Sequence, residues 1–485
     1  MQTELEALSL QVLKKITPTT EEYCRVKALS EKLEQKILET CQQQCVKAIV
    51  RVEGSIAKDT WLKDNPDIDI FIRLPPVTTA TADAVSRKKL GEVGLKIAQT
   101  VAKDATEVIE RFAEHPYLEI IIDGLRVDIV PCYDVKLGEW QSATDRTPYH
   151  TDYIKQHLTP KMLGEVRLLK QFMQGIGVYG AEIKIGGFSG YLCELLILTY
   201  GSFVQTAQAF ANYNKRVIID IEHHHPLGKE NNLTELFSEP LVIIDPIDKA
   251  RNAASAVQIE KLYNFIGATR TFLQNPSEKF FFTPKQTALT IKNLKQQLDN
   301  RGSTILFLIT NSSTQAVPDV LWGQLYKSKR SIHKLLELND YKILRDTVWS
   351  NEKNLHIFIF EIEQQNIANI KKHSGPPLEC SNECTKFLNK YTKSNQVTAG
   401  PYIEENKWTV EIFRKNTNAI TLLKEKLADG GKNIGTSEII TKAFKTNLTL
   451  LTNSEITKTY NQNNYFKIFL TNFLSGKPHW LKNQQ

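Results

Sequence analysis

A short apolar segment that carries two aspartates constrains this chain more than any other feature. Asp67 and Asp69 are separated by one residue, and their neighbours Ile68, Ile70 and Phe71 favour a β-strand. Side chains alternate along a strand, so both carboxylates are predicted to point to the same face. Two like charges so placed repel each other unless a cation lies between them. A hard divalent cation with oxygen ligands suits that place.

The residues before this strand add a phosphate-binding signal. An apolar run over residues 46–52 is predicted to be a strand that delivers Gly54 and Ser55. Glycine permits a tight turn, and backbone N–H groups with a hydroxyl are suited to phosphate. For the aspartate pair alone, a solvated polar edge strand is the favoured alternative. The Gly-Ser turn weakens that alternative.

Asp128 is a third candidate carboxylate. Residues 117–122 and 125–130 are predicted to be the two strands of a hairpin, because Asp-Gly at 123–124 is a strong hairpin signal. An unpaired charge on such an apolar strand is costly. The partner of Asp128 is either Arg126, on the same strand face, or a metal ion. Given Asp67 and Asp69, we favour the metal, and three carboxylates on adjacent strands suit two Mg²⁺ ions.

The order of these residues resembles the nucleotidyltransferase superfamily, whose pattern is Gly-Ser, a short gap, and Asp-x-Asp on the next strand. More narrowly, residues 54–62 (Gly-Ser-Ile-Ala-Lys-Asp-Thr-Trp-Leu) before Asp-Ile-Asp-Ile-Phe resemble the archaeal-type, class I CCA-adding enzymes, which are tRNA nucleotidyltransferases. The resemblance extends from about residue 54 to residue 252. Further blocks that carry it are residues 127–133, 145–150, 165–170, 177–182, 187–196 and 245–252.

The resemblance implies roles for the matching residues. The metal ligands and catalytic residues would be Asp67, Asp69 and Asp128. The residues that would hold the nucleotide, its triphosphate or the RNA end are Gly54, Ser55, Lys58, Thr147, His150, Lys170, Tyr179 and Arg251. Many family members have arginine at the position of Lys58, and lysine keeps the charge but lacks the bidentate fork. The first acidic position is often glutamate in the family and is Asp67 here.

Four of these residues have ordinary alternatives. Lys170 lies in a predicted helix over residues 166–173, where a lone lysine is usually solvated. Tyr179 could simply cover part of the hydrophobic core, and His150 could lie at the N-terminus of a helix without binding a ligand. From the residues alone these readings are favoured, and the resemblance reverses them. For Arg251 the alternative is a network with aspartates at a helix N-terminus.

The predicted fold class is α+β and multidomain, because 485 residues suffice for three or four domains. A nucleotidyltransferase palm, a mixed sheet with N-terminal helices, is expected over residues 1–153. A helical middle domain that binds nucleotide (154–275), an α+β body (276–385) and a basic, tRNA-binding tail (386–485) follow. Residues 372–377, with Gly-Pro-Pro, are predicted to be a loop or linker near a boundary.

Charge is concentrated at the end of the chain. Residues 386–485 contain 15 Lys and Arg against 7 Asp and Glu, whereas the whole chain has a net charge of +7. This excess suggests a polyanionic partner, for which nucleic acid is the usual one, and the alternative is that the lysines only solubilise the domain. The aromatic residues of the same segment are predicted to form its own core.

Other features point to a cytoplasmic protein. Seven cysteines, an odd and scattered set, predict reduced thiols. No apolar run approaches the roughly 20 residues of a membrane span, so no membrane partner is expected. The first residues lack a signal-peptide pattern.

The resemblance implies template-independent addition and repair of the 3′-terminal CCA of tRNA from CTP and ATP. The terminal 3′-hydroxyl would attack the α-phosphate and release pyrophosphate. The basic tail would bind the acceptor stem and elbow of tRNA by shape, and a homodimer is expected because the family often dimerises. Two alternatives are a poly(A) polymerase or oligoadenylate synthetase with the same palm, and an RNA-binding protein without catalytic activity.

Overall fold

The chain forms two compact units that are not consecutive in sequence. The structure, a computed structural model, describes residues 2–64, 66–76, 84–112, 115–214, 216–225, 236–314 and 316–481. Residues 1–285 and 477–485 make unit 1, and residues 286–476 make unit 2. Across the described ranges, none of the helices combines the length and apolarity that crossing a bilayer requires.

Unit 1 begins with two helices, α1 (Gln2–Ile16) and α2 (Thr20–Gln43). The Thr19 side chain accepts a hydrogen bond from the Glu22 N–H, and the Glu22 carboxylate accepts one from the Thr19 N–H. This reciprocal capping box fixes where α2 starts. The face of α2 that packs on the sheet is an apolar stripe, Val26, Leu29, Leu33 and Ile37.

A five-stranded mixed sheet follows, in the order β1-β2-β5-β4-β3. Its strands are β1 (Ile49–Glu53), β2 (Asp67–Leu74), β3 (Glu107–Phe112), β4 (Pro116–Ile122) and β5 (Leu125–Tyr133). The short helix α3 (Gly54–Ala57) connects β1 to β2, and α4 (Ala84–Val101) connects β2 to β3. Strands β2 and β5 are parallel, whereas the other neighbours are antiparallel.

The β4–β5 hairpin turns through Asp123 and Gly124, whose φ angles are 51° and 73°. Two consecutive residues with positive φ are typical of a type I′ turn, which confirms the hairpin predicted from Asp-Gly. The hairpin brings β5 back alongside β2, and this places Asp128 beside the aspartates of β2.

The rest of unit 1 is mainly helical. Its elements are α5 (Thr147–His157), α6 (Pro160–Gly175), α7 (Gly190–Tyr200), α8 (Phe203–Ala211), β6 (Val217–Asp220), β7 (Leu241–Asp245), β8 (Asp248–Asn252) and α9 (Ile259–Gln274). Phe172 of α6 lies at the centre of an aromatic core with Phe203, Phe265, Phe272, Phe280 and Phe281. Trp480, from the returning C-terminal segment, stacks on Phe280 at 5.6 Å.

Unit 2 contains two antiparallel sheets, ordered β10-β11-β9-β15 and β12-β14-β13. The strands are β9 (Thr304–Asn311), β10 (Ile343–Ser350), β11 (Leu355–Ile362), β12 (Ile370–Pro377), β13 (Val397–Glu404), β14 (Lys407–Phe413) and β15 (Thr449–Thr452). The helices are α10 (Ile291–Asp299), α11 (Pro318–Leu338), α12 (Ser381–Tyr391), α13 (Ala419–Leu427), α14 (Glu438–Asn447), α15 (Thr457–Gln462) and α16 (Asn464–Ser475).

The predicted multidomain α+β class is confirmed, since mixed and antiparallel sheets alternate with helices in both units. The loop predicted at residues 372–377 is wrong, because these residues lie in β12, which pairs with β14. The predicted boundary between residues 385 and 386 falls inside α12. The division into four domains stays a prediction.

Candidate active site

The structure brings the three predicted carboxylates together. In the parallel pair β2–β5, Asp69 lies opposite Asp128, and Asp67 lies opposite Arg126. Residues opposite each other in neighbouring strands point to the same face, and the strands lie about 4.8 Å apart. Asp67, Asp69 and Asp128 therefore share one face of the sheet.

Gly54 makes room for one of these carboxylates. It is the first residue of α3, with φ +68°, and a Cβ at this position would lie 1.9 Å from Asp69 Oδ2. Both the left-handed backbone and the close approach require glycine here. Ser55 follows in the same turn, and its carbonyl accepts a hydrogen bond of 2.9 Å from the Thr60 N–H. The predicted Gly-Ser turn thus lies directly against Asp69.

Burial and mutual repulsion disfavour three negative charges at this place. Burial raises the pKa of Asp69 to about 7, with the charges of Asp128 and Asp67 adding to the rise. Burial also raises the pKa of Asp128 to about 6, although Arg126 opposes it. The pKa of Asp67 is raised by burial as well. Displaced carboxyl pKa values of this kind are typical of sites that bind a cation or transfer protons.

Arg126 supplies positive charge to the cluster. Its Nη2 lies 2.9 Å from Asp128 Oδ2, its Nη1 lies 4.0 Å from Asp67 Oδ1, and its Nε lies 2.9 Å from Glu119 Oε2. The ion pair considered as the alternative for Asp128 is therefore present. Within the described ranges, no three His, Cys, Asp or Glu side chains are arranged as a metal site. Asp128 Oδ1 is nevertheless buried without a hydrogen-bond partner among the described residues.

The predicted triphosphate residues Lys58 and Lys170 converge on a buried glutamate. Lys58 Nζ lies 2.5 Å from Glu194 Oε2, and Lys170 Nζ lies 3.2 Å from Glu194 Oε1. Lys170 also donates to the Thr60 hydroxyl at 2.9 Å. Lys170 is 2% exposed, so the alternative of a solvated helix lysine is wrong.

Tyr179 lies beside Lys170 at the start of α7. A Cβ at Gly190 would lie 3.1 Å from Tyr179 Oη and 3.4 Å from Lys170 Nζ, so both polar groups surround this glycine. Burial raises the pKa of Tyr179 well above its ordinary value. Ser189 caps α7, because its side chain accepts a hydrogen bond from the Leu192 N–H.

His150 and Arg251 meet at Asp245. His150 Nε2 lies 2.9 Å from Asp245 Oδ2, and Arg251 Nη1 lies 2.6 Å from the same oxygen. The Tyr191 hydroxyl donates to Asp245 Oδ1 at 3.0 Å, and the Tyr191 ring packs on His150 at 4.0 Å. Burial lowers the pKa of His150. Arg251 belongs to strand β8, so the alternative of a helix N-terminus is wrong, although the ion pair with an aspartate exists.

Thr147, the remaining predicted residue, is the first residue of α5 and lies one turn before His150. The structure thus forms two groups of predicted residues within unit 1. The first group is Gly54, Ser55, Asp67, Asp69 and Asp128, and the second is Lys58, Thr147, His150, Lys170, Tyr179 and Arg251. Lys58 connects them, because its charge lowers the pKa of Asp69 against the effect of burial.

Comparison with protein families agrees with this organisation. Residues 34–154 match the model of the nucleotidyltransferase domain, and residues 164–282 match that of the second domain of tRNA nucleotidyltransferases. Residues 301–448 match the C-terminal domain of CCA-adding enzymes. The first match contains all three aspartates.

Whole-length relatives decide the family. A CCA-adding enzyme of Methanosarcina mazei is 37% identical over 467 residues, which are 96% of this chain and 97% of the relative. The chain belongs to the CCA-adding enzyme family. A CCA-adding enzyme of Methanosarcina barkeri is 39% identical, and one of Methanothermobacter thermautotrophicus is 34% identical. Each alignment covers 87% of this chain, and the two cover 89% and 90% of the respective relatives. The predicted family and the predicted enzyme class, a tRNA nucleotidyltransferase, are confirmed.

One solved structure that resembles this chain is more distant than these family members. The Cid1 poly(U) polymerase aligns with 57% of this chain, and 96% of its own chain is covered. The TM-score is 0.43 and the identity is 13%. A likeness of this size carries no argument about the site.

Glu194 and Asp245, whose carboxylates hold the predicted site residues in place, were not identified from the sequence. Glu194 is the only charged residue in the apolar sequence of α7, and it is fully buried. A charge in such a helix requires a partner, which is the signal that could have found it. Asp245 ends the apolar strand β7 and offers the same signal.

Proposed function

We propose that this protein adds and repairs the 3′-terminal CCA of tRNA, without a template, from CTP and ATP. In each step the terminal 3′-oxygen forms a bond to the α-phosphorus, the bond between that phosphorus and the β-phosphate oxygen breaks, and pyrophosphate leaves. The observation that carries the proposal is the shared face of Asp67, Asp69 and Asp128 against the Gly54 turn, in a chain of the CCA-adding enzyme family.

The residues at the carboxylate site supply the oxygen ligands that magnesium prefers, although the described side chains are not arranged as a metal site. The cluster contains more acidic than basic side chains. The guanidinium groups of Arg111 and Arg126 face four carboxylates, which are those of Asp67, Asp69, Glu119 and Asp128. The unpaired, buried Asp128 Oδ1 offers a carboxylate oxygen of the kind that Mg²⁺ prefers. We propose that Asp67, Asp69 and Asp128 hold two Mg²⁺ ions. Bound magnesium would favour ionisation of the attacking hydroxyl and stabilise the charge on the leaving pyrophosphate.

The chain's own groups would position the nucleotide. The positive φ of Gly54 turns the backbone beside Asp69, and we propose that this turn and the Ser55 hydroxyl bind phosphate. Lys58 and Lys170, with Tyr179 at the start of α7, would hold the triphosphate. Positioning and charge stabilisation suffice for this reaction, so no protein nucleophile is required.

The second group would hold the base and the RNA end. Asp245 fixes Arg251 and His150 through hydrogen bonds of 2.6 and 2.9 Å, so both side chains are oriented before a ligand arrives. Thr147 lies one helical turn from His150. We propose that these residues contact the nucleotide base or ribose and that the basic segment after residue 385 binds the tRNA backbone of acceptor stem and elbow.

The test is extension of a tRNA transcript that ends at the discriminator base, with Mg²⁺, CTP and ATP. We expect three added nucleotides, C, C and A. Asp69→Asn should reduce the rate by at least about 100-fold, because it removes a proposed metal ligand. Asp104→Asn is the control, since the Asp104 side chain is 68% exposed and pairs only with Lys36 in the described structure. Full activity of Asp69→Asn, or no extension by the unaltered protein, would refute the proposal.

A reaction with CTP alone separates the related activities. Addition of two cytidines is expected from the proposed function, whereas a poly(A) polymerase or oligoadenylate synthetase would add none. An RNA-binding protein without catalytic activity would retain tRNA without extending it. The cytoplasmic location and the homodimer stay predictions, and sedimentation of the purified protein would test the homodimer.

A further inference from the structure

One buried carboxylate holds both lysines of the proposed triphosphate site. Glu194 is 0% exposed, Lys170 is 2% exposed and Lys58 is 9% exposed. Glu194 lies on α7, Lys170 lies on α6, and Lys58 directly follows α3. The carboxylate therefore joins three segments that are distant in sequence.

We propose that Glu194 is a positioning residue that keeps Lys170 charged and fixes the ammonium groups of Lys58 and Lys170 for the triphosphate. This inference rests on the proposed function, because it requires a nucleotide at these lysines. Glu194 itself would not contact the nucleotide, since both of its oxygens are already engaged: Lys58 occupies Oε2, and Thr60 and Lys170 occupy Oε1.

The physical basis is the energy of burying charge. Removing an ammonium group from water costs several kcal/mol unless an opposite charge compensates for it. Without Glu194, two such groups would lie close together with no anion between them, and Lys170, the more buried of the two, would release its proton. With Glu194, the three side chains carry one net positive charge, which attracts a triphosphate. The Thr60 hydroxyl donates to Glu194 at 2.6 Å and accepts from Lys170 at 2.9 Å, which fixes the geometry.

The titratable groups around Lys170 allow a clear measurement. They are Glu194 and Cys193 of α7, Lys58 after α3, and Tyr179 after α6. Burial lowers the pKa of Lys170, and the charge of Glu194 opposes that effect. Burial raises the pKa of Cys193 to about 12 and that of Tyr179 well above its ordinary value, so neither ionises below about pH 10.

The carboxylates of the proposed metal site set the lower limit of the useful pH range. The pKa values of Asp69 and Asp128 are about 7 and 6. Between about pH 7.5 and pH 9.5 these groups are mainly ionised, so a change in nucleotide affinity over this range reports Lys170.

The experiment measures binding of CTP with Mg²⁺ to the full chain by calorimetry, and the KM and kcat for tRNA extension, across this pH range. For the unaltered protein, we expect the affinity to change less than about threefold. For Glu194→Gln, the affinity should fall about tenfold per pH unit at the alkaline end, and KM should rise while kcat at saturating CTP changes little. Glu194→Asp retains the charge and should keep the flat profile.

Glu165→Gln on α6 is the matched control. Its carboxylate accepts a hydrogen bond of 2.9 Å from the Phe203 N–H at the start of α8. This variant removes a carboxylate from the same helical region but not from the lysines. A structural disturbance alone would lower affinity equally at every pH, as we expect for Glu165→Gln if it has any effect.

A second variant covers the case in which Glu194→Gln does not fold. Lys58→Met combined with Glu194→Gln removes one cation and its anion together, and it leaves the buried Lys170 without a counter-ion. We expect its CTP affinity to fall more steeply with pH than that of Lys58→Met alone. Parallel profiles for these two variants, or for Glu194→Gln and the unaltered protein, would overturn the inference.

The outcomes also separate this inference from the proposed function. If the unaltered protein binds CTP but does not extend tRNA, the proposed function fails, and the pH profiles of binding still decide the role of Glu194. If extension occurs and Glu194→Gln has a flat profile, only the inference fails. If the unaltered protein does not bind CTP, the inference is overturned together with the assignment of Lys58 and Lys170.

Discussion

Replacing Gly54 by alanine tests the central geometry of the site. The new Cβ would lie 1.9 Å from Asp69 Oδ2, whereas ordinary contacts begin near 3.4 Å. Asp69 must therefore move by about 1.5 Å, or the turn must open by a similar distance. Either change separates the Gly54 turn from the carboxylates of β2 and β5.

The expected effect of Gly54→Ala has two parts, a loss of stability and a loss of rate. Alanine at φ +68° costs about 1–2 kcal/mol of backbone strain, because its Cβ approaches the following carbonyl oxygen. A catalytic group that is misplaced by about 1 Å can cost roughly 100-fold in rate. We therefore expect a loss of a few degrees in melting temperature and a loss of about 100-fold in the single-turnover rate of nucleotide addition.

Gly138→Ala is the matched control for strain without a clash. Gly138 has φ +86°, and no heavy atom lies within 4 Å of its Cβ position. Thermal unfolding and single-turnover extension of tRNA should show a similar loss of stability for both variants and a loss of rate for Gly54→Ala only. Equal rates for the two variants would refute the claim that Gly54 makes room for Asp69.

Three further predictions follow from single contacts. Arg126→Met should tighten Mn²⁺ binding about tenfold, measured by electron paramagnetic resonance, because Arg126 is a cation 2.9 Å from Asp128. Burial lowers the pKa of His356 to about 4, below its value of about 6.5 in an unfolded chain. Its contribution to the free energy of unfolding is therefore complete above about pH 6.5, and about 3 kcal/mol should be lost as the pH falls to about 4, measured by urea unfolding. Thr19→Ala should cost about 1 kcal/mol of unfolding free energy in the same assay, because it removes the capping box with Glu22.

Each of these predictions has an outcome that contradicts it. Weaker Mn²⁺ binding by Arg126→Met would mean that Arg126 orients Asp128 rather than competing with the cation. An unchanged pH dependence in His356→Asn would show that another group causes the loss of stability. Unaltered stability of Thr19→Ala would show that another group replaces the hydroxyl at the start of α2.

Features that depend on neighbouring residues could be predicted from the sequence. The Asp123-Gly124 turn, the capping box at Thr19 and the shared face of Asp67 and Asp69 depend on alternation or on contacts within a few residues. The β4–β5 hairpin was predictable on the same basis, whereas the parallel pairing of β5 with β2, which places Asp128 beside Asp69, depends on residues that are distant in sequence.

Features that depend on distant residues were not predictable in this way. Lys170 has an ordinary helical sequence, and its burial depends on Glu194, which is 24 residues later. The Gly-Pro-Pro at residues 375–377 favoured a loop, yet these residues end the edge strand β12. An edge strand tolerates proline, because one side of its backbone makes no ladder hydrogen bonds. The sequence pattern did not indicate that β12 is an outer strand of its sheet.

The stacking of Trp480 on Phe280 has a consequence for how the protein is made. Unit 2 interrupts unit 1 between residues 285 and 477, and the buried Trp480 belongs to the core of unit 1. During translation the ribosome synthesises the part with the proposed active site first, yet the residue that completes its aromatic core emerges almost 200 residues later. A nonsense mutation anywhere in that interval would release a chain that has every proposed active-site side chain and lacks the residue that closes the core around Phe280.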